Sequence, residues 1–128
     1  MDDQLALRIQ LFREGGQVNP EVVDFVAAEL TALEAEGHLV TEATAGMLTS
    51  HLMMAIGRLL NGEPIEQFLT DDQVAAELAD HPDAVARAHA VAARAERELG
   101  AALPASEINF LGMHLAVLAR QSPPAPAT

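Results

Sequence analysis

Residues 103–120 read LPASEINFLGMHLAVLAR. Pro104 suits the first position of a helix, where a missing backbone N–H costs nothing. Glu107 follows three residues later, where a helix's positive end favours a carboxylate. Apolar residues then recur at helical spacing, so the pattern predicts a helix over 104–120. One titratable ring, His114, sits inside that apolar run. Glu107 lies two turns before it, and Leu111 and Leu118 lie one turn to either side.

Working outward, the rest of the chain repeats the theme. Residues 2–14 read as a helix, with Asp2 and Asp3 at its positive end, Leu5, Ile9 and Phe12 as its stripe, and Gly15-Gly16 as its stop. A helix over 20–36 has Asn19 as N-cap, Pro20 at its first position, an apolar face of Val22, Val23, Val26, Leu30 and Leu33, and Gly37 as its stop. A third, over 41–60, is capped by Thr41, with Thr44 where a capping-box acid would stand, which weakens the cap. Leu48, Leu52, Ala55, Ile56 and Leu59 mark its buried stripe, and Asn61-Gly62-Glu63-Pro64 ends it. A short helix over 71–80, capped by Thr70 or Asp71, breaks at His81-Pro82-Asp83. An Ala-rich helix over 83–99 ends at Gly100. No period-2 alternation marks a strand. The expected fold is all-α: a compact bundle of five to six helices in one domain over 1–120, with its core in 20–120. The Pro-rich tail, 121–128, is expected to be disordered.

Composition sharpens this. Hydrophobic residues make up 50% of the 128, yet aromatics only 3%, with no Trp or Tyr. The core must therefore be filled by aliphatic side chains and Ala, the best helix former. There is no Cys, which removes disulfides and thiolate metal sites and fits a reducing compartment. No signal segment opens the chain and no apolar run reaches the ~18 residues of a membrane span. The expectation is a soluble cytoplasmic protein. The net charge is −12, and every basic residue is Arg. Such a surface repels phosphate backbones, so nucleic acid is not an expected partner. The charge would attract a basic partner patch, or simply keep an apolar-rich chain soluble.

The catalytic inventory is thin. There is no GxSxG, P-loop, GxGxxG or HExxH, so an enzyme is not expected and neither is a cofactor. The pair Asp71-Asp72 reads as a helix cap rather than a metal site. His38 follows Gly37 in a loop and reads as solvated; His81 belongs to a helix stop; His89 reads as surface or half-buried. No two histidines stand at i, i+4, so helical metal clips are absent. His51 lies beside the stripe of Leu48, Ala55 and Leu59, with Arg58 two turns along the same face. A titratable ring near an apolar stripe is costly unless paired. Taken as residues alone, His51 and His114 admit two roles: satisfied core or boundary histidines, or two rings of one shallow site.

The segment around His51, with His-Leu, Ala-Ile, Arg58 and then Asn61-Gly62, resembles the first histidine motif of the phosphotransferase-system regulation domain, the PRD. LPASEINFLGMHLA resembles that family's second motif, with Leu-Pro, a glutamate, an aromatic and a Met-His-Leu triplet. Together they cover roughly residues 20–120. The resemblance implies a helical bundle, often a homodimer, whose histidines accept phosphoryl groups from sugar-transport phosphocarriers. It makes His51 and His114 the phosphoacceptors and Arg58 and Glu107 supporting residues, with no metal. The partner would be a histidine phosphocarrier or a IIB-type phosphotransferase protein. The family commonly places an acidic residue before the first histidine; here it is Ser50. Family members usually also carry a nucleic-acid-binding segment, and the residues before the domain are not basic. The expectation is therefore a stand-alone regulatory domain whose phosphorylation modulates dimerisation or partner binding. The alternative is a protein-interaction module of transcriptional or metabolic regulation that takes no phosphate.

Overall fold

A computed structural model describes residues 1–63 and 72–121. Among them the chain forms six helices and no strand: α1 Asp3–Gly15, α2 Pro20–Ala35, α3 Glu42–Leu60, α4 Asp72–Ala79, α5 Pro82–Leu99 and α6 Ala105–Gln121. The fold is an all-α bundle. The expected cap positions Thr70 and Asp71, the Pro64 turn and the tail from 122 onward lie outside the described residues, while Gln121 still belongs to α6.

The helix boundaries follow from cap chemistry. Asp2 is the N-cap of α1, its carboxylate accepting from the Leu5 N–H at 3.2 Å. The same carboxylate accepts from the Glu42 N–H at 3.0 Å, so one side chain satisfies the orphan donors of two helices. Asn19 caps α2 through its backbone carbonyl rather than its side chain. The Thr41–Thr44 cap is stronger than the sequence promised. The Thr41 hydroxyl accepts from the Thr44 N–H while the Thr44 hydroxyl accepts from the Thr41 N–H, completing a reciprocal box without an acid. The α1 and α5 stops are Gly16 and Gly100, with φ of 71° and 73°, a left-handed conformation only glycine adopts cheaply.

The core is aliphatic, as composition required. Leu5, Val22, Val23, Val26, Leu30, Leu48, Met53, Ile56, Leu111 and Leu118 are fully buried. Small residues set the spacing at α6: a Cβ on Gly112 would meet Leu78 at 3.3 Å and Ala88 at 3.8 Å. The Ala-rich face of α5 (Ala88, Val91, Ala95) is buried. An Arg94–Glu29 fork at 2.6 and 2.7 Å ties α5 to α2. No described helix is long and apolar enough to cross a membrane.

Candidate functional site

The site lies where α3 packs against α6. From α3 come His51 and Arg58; from α6 come Glu107, Phe110 and His114. Positions 107, 110 and 114 are spaced i, i+3 and i+7, so helical geometry puts them on one stripe of α6. Neighbouring Leu111, Leu115 and Leu118 bury the adjacent face and fix the helix's rotation.

Glu107 is 3% exposed, and its Oε2 lies 2.5 Å from Nε2 of His51, whose side chain is 28% exposed. A sealed carboxylate thus holds a reachable imidazole. Glu107 stands two turns before His114 on α6, as the spacing placed it. The partner is across the α3–α6 seam, and helix periodicity cannot disclose a contact between two helices.

Phe110 lies between the two histidines. Its ring centroid is 3.8 Å from that of His51, with the planes 18° apart. It is 4.2 Å from that of His114, at 33°. Two rings cannot share one face at such distances, so the imidazoles take opposite faces of Phe110. His51 and His114 are therefore brought to one place, but as the outer layers of a sandwich rather than side by side. Phe110 was present in the motif only as an aromatic. The signal for its role was available: it is one of four Phe in a chain without Trp or Tyr, placed i−4 from His114.

His114 is half-buried and has no hydrogen-bond partner among the described residues. Burial, then the nearby charge of His51, holds its pKa below the ordinary 6.5. At neutral pH its ring is the uncharged, nucleophilic form. It borders a cleft of about 240 Å³ with Phe110, Met113 and Val117. On the other side, His51 and Glu107 share a cleft of about 150 Å³ with Met54, Ala55 and Arg58. Arg58 is exposed and makes no ion pair among the described residues. Position 50, where the resemblance led one to expect an acid, is Ser50, which accepts from Arg8 Nη1 at 2.8 Å. Arg8 in turn forks onto Glu42. The carboxylate that touches His51 is thus supplied by α6 instead of by the preceding residue.

The other histidines lie elsewhere. His89 is exposed and His81 stands at the N-cap of α5. His38 departs from the solvated loop residue expected: it is half-buried, with Nδ1 enclosed against the α2–α5 side of the bundle. The loop folds back on α2, where the His38 N–H bonds the Leu33 carbonyl. Among the described residues no cluster of His, Asp and Glu could hold a metal ion.

The family model of the PRD domain matches residues 40–118. The chain belongs to the PRD domain family. That span takes in α3 through most of α6, and with it both histidines, Glu107, Phe110 and Arg58. No curated protein and no solved structure matches the chain. Membership makes this PRD chain a regulatory domain of the phosphotransferase type.

Proposed function

We propose that this PRD is a phosphoacceptor switch, loaded on histidine by a phosphocarrier of the sugar phosphotransferase system and acting as an acceptor, not a catalyst. The observation that carries this is His114: half-buried, without a hydrogen-bond partner among the described residues and held neutral below its ordinary pKa. A neutral imidazole needs no further activation toward an already reactive phosphoryl group; it needs alignment, which Phe110 supplies through its ring face. His51 is the second acceptor, with Glu107 orienting its ring and Arg58 as the cation for a phosphoryl group there. Exposed Met54 and Val117 border the two clefts. A second copy or a listening protein would cover this rim, and a new dianion at either cleft would alter that contact.

A second reading, an interaction module that takes no phosphate, is favoured by α1. Leu7 and Leu11 are 58% and 59% exposed on it, and α1 precedes the matched span. The two separate by experiment. The purified chain is incubated with a phosphoenolpyruvate-driven phosphocarrier system and its intact mass is read under alkaline conditions. A gain of one phosphoryl group, lost on acidification, is expected; an unchanged mass leaves the interaction module.

A further inference from the structure

Resting on the phosphoacceptor reading above, we infer that this domain holds one phosphoryl group at a time: His51 and His114 exclude each other as loaded sites, and Phe110 is the positioning residue that couples them. The sandwich fixes the geometry. With centroids 3.8 and 4.2 Å from Phe110, the two imidazoles stay two stacking distances apart and cannot swing away without breaking a ring contact. A phosphohistidine carries nearly two negative charges. Two such groups would stand on a chain already at −12, beside the sealed Glu107 carboxylate.

The cations available are few. Among the described residues Arg58 is the one guanidinium lining either cleft, so one dianion can be matched there and a second cannot. Glu107 Oε2, 2.5 Å from His51 Nε2, sets a fixed carboxylate beside any phosphoryl group on that ring. Repulsion between dianions at this spacing, screened by salt, disfavours the doubly loaded form by about tenfold.

The transfer itself balances simply. The carrier's N–P bond breaks as an N–P bond forms at a ring nitrogen of the acceptor. The proton on the acceptor's other nitrogen leaves, and the freed carrier imidazole takes one up.

The test is the loading plateau under excess phosphoenolpyruvate and carrier, read by intact mass for wild type, His51→Ala and His114→Ala. One phosphoryl group is expected on all three, with the doubly loaded wild type about a tenth of the singly loaded form or less. A wild type that fills to two groups overturns the exclusion, as does either single variant that takes none. Phe110→Leu keeps bulk but removes the flat face, and is expected to raise the doubly loaded fraction several-fold. An unchanged fraction removes Phe110 from the coupling. If wild type takes no phosphoryl group at all, the phosphoacceptor reading itself falls, an outcome distinct from double loading.

Discussion

Glu107 of α6 meets His51 of α3 at 2.5 Å, a carboxylate sealed from solvent against a ring that is not. The pair bridges the seam on which both candidate acceptors stand. A buried carboxylate held by a ring is a high-stakes arrangement, because the carboxylate left alone is uncompensated.

Removing the ring from that pair should therefore cost stability. His51→Ala leaves the Glu107 carboxylate buried without its imidazole and removes the stack on Phe110. A loss of roughly 2 kcal/mol is expected in urea unfolding. His51→Gln, which can still donate to Glu107, should recover part of it.

His114 gives the fold a pH dependence of known sign. Its folded pKa is depressed below 6.5, so the unfolded chain binds the proton more readily. The His114 contribution is fully present above about pH 6.5 and is lost as pH falls from there through the folded value. Urea midpoints measured between pH 8 and pH 5 should decline, and His114→Asn should flatten the part of that decline below pH 6.5.

The Arg94–Glu29 fork joins α5 to α2, with Glu29 buried. Arg94→Ala should destabilise by about 2–3 kcal/mol because it strands a carboxylate in the bundle. The double variant Glu29→Met, Arg94→Met should be close to wild type, since packed apolar groups of similar volume replace both ions. Thermal unfolding of the two variants side by side checks this.

Ser106 is fully buried, and its hydroxyl has no hydrogen-bond partner among the described residues. Ser106→Ala should raise stability by roughly 1 kcal/mol, by deleting an unsatisfied polar group at no cost in bulk. A fall in unfolding midpoint would show that the hydroxyl is satisfied in solution.

Much of the fold was legible because each helix announces itself locally. Asn19-Pro20, Thr41, Gly16 and Gly100 stand at helix ends, and the apolar stripes of α2, α3 and α6 are the faces that become buried. The Thr41–Thr44 box is stronger than its sequence suggests because a hydroxyl replaces the expected acid when it also donates onward, here to the Leu39 carbonyl at 2.6 Å. The site was legible only by halves. Periodicity placed His51 and His114 on the packed sides of their helices. It could not say that Glu107 crosses to the other histidine or that Phe110 separates the two rings, because both facts depend on the rotation and depth of α3 against α6. His38 illustrates the same limit: a residue after a glycine stop looks solvated until the loop's return onto α2 is known.

The central claim is that His114, neutral and without a hydrogen-bond partner among the described residues, is the leading phosphoacceptor, while His51 is engaged with Glu107. The most direct measurement is the initial rate of phosphoryl transfer from a phosphocarrier to wild type, His114→Ala and His51→Ala. His114→Ala should slow transfer by about tenfold or more, and His51→Ala should stay within about threefold of wild type. Transfer that survives intact in His114→Ala and collapses in His51→Ala would contradict it.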